Sequence, residues 1–274
     1  MRQFTTEING RRADGTIFDS LSEAHEKCFA SVNHWNSGWM GISQKDTERK
    51  FKSGDDAEVP ASDKLIEELQ SKIEVPTSRY RVFDAVAGGV PNVPAYLANQ
   101  PQSMRVRRKT KEQMAPLTIA VDLTSSAGID ADYLTKRGVA ILALVRSLAA
   151  VRPVTIWAGC GLSDAGYNKN RAGFCWFQLD TSPLDLTRAA FQLTSGGVGR
   201  GMCYQYITKH HNGGGGWPFA SVDTWRKNAT PFIEQWFGGE VLFIPPVFQK
   251  DEFNKPDKWL IEKIKQYGGE LIEQ

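Results

Sequence analysis

The stretch that most constrains this chain is Leu117-Thr-Ile-Ala-Val121 together with the turn after it, Asp122-Leu-Thr-Ser-Ser126-Ala-Gly128. Five apolar or β-branched residues in a row are too few for a helix and suit a strand buried on both faces. The run gives way to small hydroxyl residues and a glycine, then enters 131–151, where Leu134, Ala140, Ile141, Leu144, Val145 and Leu148 recur at helical spacing. Residues 153–158 read as a second short buried strand. Strand, helix and strand in this order predict a βαβ unit and a parallel sheet. Ligands of such sheets bind beyond the carboxyl ends of the strands, where Asp122, Thr124 and Ser126 would stand.

A chain of 274 residues can hold one large domain, or one domain with a smaller appendage. The net charge of +2 does not mark the whole chain as a nucleic-acid binder, so any basic surface must be local. No apolar run approaches the roughly 20 residues that span a bilayer, and the opening Met-Arg-Gln-Phe-Thr-Thr-Glu lacks the apolar core of a signal peptide. The expectation is therefore a protein that works inside a cell, with no membrane partner. Cys28, Cys160, Cys175 and Cys203 lie far apart with no short paired spacing, which favours reduced thiols over a disulfide framework or a zinc site.

Upstream of the unit, residues 1–60 mix charge, glycine and aromatics. Asp19 or Ser20 can cap a helix carrying Leu21, Ala24 and Cys28 on one face. Trp35 and Trp39 lie in a glycine-rich loop, and either cover the core or offer faces on which bases stack. An amphipathic helix is predicted over 61–74, a strand over 80–86, a loop with two glycines and two prolines over 87–94, and a helical turn over 95–99.

Residues 104–111 then read Met-Arg-Val-Arg-Arg-Lys-Thr-Lys. Arg105, Arg107, Arg108, Lys109 and Lys111 put five positive charges into seven residues with no acid among them, and Arg79 and Arg81 lie upstream. Cation clusters of this kind gain affinity for a polyanion by releasing its condensed counterions. The alternative is a solvated edge strand whose charges discourage pairing.

Downstream, a polar loop over 159–172 carries Tyr167, Lys169 and Arg171, a strand is predicted over 174–179 and a helix over 184–193. Thr194-Ser-Gly-Gly-Val-Gly-Arg-Gly201 reads as a glycine loop leading into a helix over 202–209, a weak phosphate cradle. His210 and His211 precede four glycines and Trp217. Adjacent histidines suggest metal only weakly, and no further ligands are placed near them. A helix from Pro231, a buried strand over 241–244, a closing helix over 259–267 and an edge strand over 270–272 complete the reading. The fold class expected is α/β, with a mainly parallel sheet flanked by helices over 115–274. An irregular N-terminal extension over 1–114 packs on it.

From Leu117 onward the layout resembles a von Willebrand factor A domain, hence a Rossmann-like sheet. Asp122-x-Thr124-x-Ser126 matches the Asp-x-Ser-x-Ser turn with which that family holds a divalent cation. Its Gly-Gly-Thr signature resembles Gly196-Gly-Val198, where valine replaces the threonine, and its later aspartate would fall near Ile244-Pro245, where proline stands. The resemblance thus implies a degenerate domain without metal or other cofactor. The stretch from Val86-Ala-Gly-Gly-Val-Pro-Asn-Val-Pro to Arg105-Val-Arg-Arg, followed by Ile119-Ala-Val-Asp-Leu-Thr-Ser-Ser, resembles a family of uncharacterised tailed-phage proteins. Within that circle it is similar to the single-stranded DNA-binding cofactors of podoviruses that package their own RNA polymerase. That resemblance implies a location in the cytoplasm of the infected bacterial host and phage RNA polymerase subunits as partners.

No nucleophile with an identifiable base emerges, so a non-catalytic role is expected. Single-stranded DNA binding needs a positive track and aromatic faces. The candidates are Arg79, Arg81, Arg105, Arg107, Arg108, Lys109 and Lys111, a second cationic group of Lys169, Arg171 and Arg200, and the rings of Trp35, Trp39, Tyr167 and Trp217. Tyr80 and Trp225 add further rings. The competing reading is a metal-free interaction module that docks a phage or host protein.

Overall fold

The computed structural model describes residues 1–8, 10–70, 73–74, 79–110, 115–150, 152–163, 171–180, 184–211, 217–218, 229–248, 255–267 and 272–273. The chain opens with a hairpin: β1 (Arg2–Ile8) and β2 (Arg11–Phe18) pair antiparallel around Gly10, whose φ of +71° only glycine adopts freely. Ser20 caps α1 (Leu21–Phe29) by accepting from the Glu23 amide, and Leu21, Ala24 and Cys28 face the core as their spacing requires. Asn36 caps the short α2 (Ser37–Met40), Ser43 caps α3 (Gln44–Ser53), and α4 (Val59–Gln70) follows.

After β3 (Ile73–Glu74) come β4 (Arg79–Ala85), β5 (Val90–Pro91), α5 (Val93–Leu97) and β6 (Met104–Thr110). These last four form an arm. Its strands lie in the order β4-β6-β5 and, among the described residues, pair with no strand of the central sheet.

The expected unit is present as β7 (Leu117–Asp122), α6 (Ala131–Ala149) and β8 (Val154–Ser163), with Leu117 opposite Val154 in a parallel ladder. The chain continues through β9 (Arg171–Gln178), α7 (Leu186–Thr194), a π-helix (Gly197–Cys203), α8 (Tyr204–His210) and β10 (Trp217–Pro218). It ends with α9 (Ala229–Phe237), β11 (Glu240–Ile244), α10 (Pro256–Tyr267) and β12 (Ile272–Glu273), which pairs with β3.

The central sheet runs β1-β2-β9-β8-β7-β11, with β10 added alongside β8. It is mixed rather than mainly parallel. Strands β11, β7 and β8 run parallel, but β9 pairs antiparallel with β8, β2 parallel with β9, and β1 antiparallel with β2. The reason lies in the connections. Strand β8 does not stop at Ala158 but continues to Ser163, and β9 begins at Arg171, a connection shorter than the dozen or so residues that a crossover to a parallel neighbour takes. The irregular amino-terminal extension is corrected too, because residues 2–18 supply two strands of the sheet itself.

Helices cover both faces. One side is a large core where Ile119, Val121, Ile141, Leu144, Leu148, Ile156 and Phe177 are wholly shielded, each worth about 1.5–3 kcal/mol on burial. Gly138 allows α6 and α7 to touch, since a Cβ there would run into the Leu193 carbonyl. The other side is aromatic. Trp157, Phe174 and Trp176 meet Phe232, Trp236 and Phe237 of α9, with the Trp157 and Phe237 rings stacked at 4.9 Å. Several tryptophans are therefore core residues.

Candidate functional site

The arm gathers charge from two separate stretches of sequence. Strands β4 and β6 pair with Arg81 opposite Arg108, Tyr80 opposite Lys109, Val82 opposite Arg107 and Asp84 opposite Arg105. Alternation along β6 puts Arg105, Arg107 and Lys109 on one face of the ribbon and Arg108 on the other. Six cations therefore share the two strands with one acid, Asp84. Arg105 is half exposed, its Nε 3.8 Å from an Asp84 carboxylate oxygen, too long and open a pair to neutralise the ribbon.

The same arm exposes apolar surface. Val86, Val90, Val93, Tyr96 and Leu97 are each more than half exposed, and the only other large exposed apolar side chain among the described residues is Met1. Sequence reasoning missed this patch. Its signal was a run of apolar residues in neither helical nor strand period, broken by glycines and prolines.

The turn after β7 has a different character. Asp122 is fully buried; its Oδ1 accepts from the Thr124 amide at 2.9 Å and from the Thr124 hydroxyl, while Oδ2 has no hydrogen-bond partner. Burial pushes this carboxyl up to about 7, against the opposing pull of the Thr124 hydrogen bonds and of Arg137. The segment after β11 lies beside the turn: the Ser126 amide donates to the Val247 carbonyl at 2.9 Å.

Two buried guanidinium groups fill the surroundings. Arg137 donates to the carbonyls of Asp122 (2.9 Å) and Pro245 (2.7 Å). Arg200, 3% exposed, donates to Ser125 Oγ (3.1 Å), to the carbonyls of Trp39 (2.9 Å) and Ser126 (3.1 Å), and to the Ile129 carbonyl. A divalent cation does not fit here. The Thr124 hydroxyl is spent on Asp122, Ser125 accepts from an arginine, and two positive charges already stand at the turn. Among the described residues, no group of three or more His, Cys, Asp or Glu is arranged to hold a metal.

Arg200 therefore leaves the proposed DNA-contacting set, because its guanidinium is consumed inside the protein. The glycines around it are corrected as well. They form a π-helix rather than a phosphate loop, and they allow close packing: a Cβ at Gly197 would strike Thr47, at Gly199 the Leu123 carbonyl, and at Gly201 the Trp35 ring. Trp35 is half-buried against the core and donates from Nε1 to the Ile42 carbonyl at 2.9 Å. Trp39 is half-buried under the Arg200 guanidinium, 4.9 Å from its ring centroid. Neither indole stands free for stacking.

Arg171 begins β9 opposite Arg12 and is exposed, but it belongs to the central sheet rather than the arm. Trp217 opens β10 opposite Ser163. Lys111, Tyr167, Lys169 and Trp225 lie outside the described residues. All four cysteines are buried free thiols on one side of the sheet, with Cys28 and Cys175 sulfurs 3.7 Å apart. Burial raises the pKa of each.

Residues 12–218 match a family described as a domain of unknown function, DUF7192. No curated protein and no solved structure matches the chain.

Proposed function

Because the chain belongs to the DUF7192 family, which carries no assigned activity, we propose from its own geometry that it binds single-stranded DNA along the basic arm. One observation carries the reading: β6 holds Arg105, Arg107 and Lys109 at alternate positions of one face of a two-stranded ribbon, and the register sets Arg79, Arg81 and Arg108 at positions of the opposite face. Such a track neutralises successive phosphates. The resemblance to tailed-phage proteins supports a role in phage transcription, as an RNA polymerase cofactor, or in replication, within the cytoplasm of an infected bacterium. No catalytic residue and no cofactor enter this reading.

A second reading rests on the exposed Val86, Val90, Val93, Tyr96 and Leu97. An apolar patch of this kind docks a protein, here a phage polymerase subunit or a host protein. The two activities are compatible on one arm.

Fluorescence anisotropy with labelled single-stranded and duplex oligonucleotides across a salt series tests the first reading. It requires binding at low salt that weakens steeply as salt rises and a preference for the single strand. Absence of binding at low salt, or a duplex preference, rejects it.

A further inference from the structure

At the opposite extreme of the sheet from β11, a cavity of about 380 Å³ is lined by Gln3, Phe4, Thr5, Arg12, Asp14, Gly15, Arg171, His210 and His211. Its size falls in the range of small-molecule sites and holds about a dozen water volumes, more than a bare oxyanion fills.

Two arginines stand in the lining. Arg12 and Arg171 are direct partners in the parallel β2–β9 ladder, so two guanidinium groups rise from neighbouring strands at one level. Asp14 is already engaged: it accepts from Thr5 Oγ1 at 2.6 Å and from Arg12 Nε at 2.9 and 3.0 Å. That grip fixes Arg12 through Nε and leaves its two terminal nitrogens, the fork that suits phosphate oxygens, for a ligand. Arg171 meets no carboxylate at ion-pair distance among the described residues.

The histidines form the roof. Gly173 lets the end of α8 come down on β9, because a Cβ there would press on Ile207 and on the His211 side chain. His211 Nε2 lies 2.9 Å from the Thr16 hydroxyl, which also accepts from Tyr206. Ser31 spends its proton on the Lys27 carbonyl and so accepts from His210 Nε2 at 3.0 Å. Both rings are thus held by their far nitrogens. Burial keeps both below the ordinary histidine pKa, so the fixed charge of the lining is two arginines against one paired aspartate.

We propose that this cavity binds the phosphate group of a nucleotide, with Arg12 and Arg171 bracketing the phosphate. The ligand is either a free mononucleotide or the phosphorylated end of a DNA strand. The site is separate from the basic arm and does not depend on the arm's reading.

Isothermal titration calorimetry of the full chain with deoxyadenosine monophosphate, and with deoxyadenosine as the phosphate-free control, tests it. The monophosphate should bind, the nucleoside should not, and Arg171→Ala should weaken binding at least tenfold with an unchanged melting temperature. Arg12→Ala gives a second, independent loss. The proposal is overturned if the monophosphate gives no heat at millimolar concentration, if the nucleoside binds equally well, or if Arg171→Ala binds like the wild type. Once binding is seen, 5′-phosphorylated and 5′-hydroxyl oligonucleotides distinguish the sources. A gain for the phosphorylated strand that Arg171→Ala abolishes identifies the strand end, and equal binding identifies the free nucleotide. Arg105→Ala and Arg107→Ala, which lie in the arm, should leave the calorimetry unchanged, so the failure of one reading is visible apart from the other.

Discussion

Replacing Asp122 with asparagine isolates the energetics of the turn after β7. In the native protein its carboxyl is pushed up to about 7 by burial, from an ordinary value of 3.8. The folded state therefore holds a proton that the unfolded chain releases, and stability falls as pH rises from about 4 to about 7, then levels off. A rise of about three pH units, at about 1.4 kcal/mol each, makes the full loss about 4 kcal/mol, of which about 2.5 kcal/mol falls between pH 5 and pH 8. Asparagine keeps an oxygen to accept from Thr124 and places an amide where Oδ2 has no partner. It has nothing to titrate. Urea unfolding of both proteins at pH 5, 6, 7 and 8 should show the variant gaining about 2.5 kcal/mol on the wild type across that range. His25, His210 and His211, whose folded values lie below 6.5, remove stability as pH falls, but they are common to both proteins and cancel in the difference. Parallel profiles would refute the reasoning. They would mean that the attraction of Arg137 keeps the buried carboxylate ionised across the range.

Three further outcomes follow from the packing. Arg200→Ala leaves the Trp39, Ser126 and Ile129 carbonyls without their donor and should cost at least about 3 kcal/mol in urea unfolding, with oligonucleotide affinity unchanged at temperatures where the variant is folded. Gly201→Ala drives a methyl group into the Trp35 ring and should cost about 1–3 kcal/mol by the same measurement. The four thiols should react with Ellman's reagent only slowly in the native protein and fully in guanidinium, because all are buried with raised pKa values.

The β7-α6-β8 unit was legible because an unbroken apolar run and a helical period carry their own geometry, and α1 because Ser20 and its apolar stripe agree. The amino-terminal hairpin was harder. Strands β1 and β2 carry charged residues along the sheet edge, which reads as loop, although Asn9-Gly10 between two alternating segments was a usable signal. The glycines from Gly196 to Gly201 misled because glycine serves chain reversal and close packing equally, and only tertiary contact separates the two. Arg200 looked like its exposed counterparts for the same reason: nothing local tells a guanidinium that caps carbonyls from one facing solvent. In the arm, the sequence placed the cations, but the pairing of Arg81 with Arg108 depends on a ladder that closes over more than twenty intervening residues. The cavity at Arg12, Arg171 and His211 draws on three distant segments and had no local signature.

The salt dependence of binding tests the basic ribbon most directly. Affinity for a labelled single-stranded oligonucleotide should be measured from low to moderate salt for the wild type and for a variant with Arg105, Arg107, Arg108 and Lys109 replaced by alanine, after circular dichroism has shown the fold retained. The variant removes all three β6 cations of one face, so binding should weaken and the slope of log affinity against log salt should fall by about 2. An identical slope and affinity in the two proteins would contradict the account.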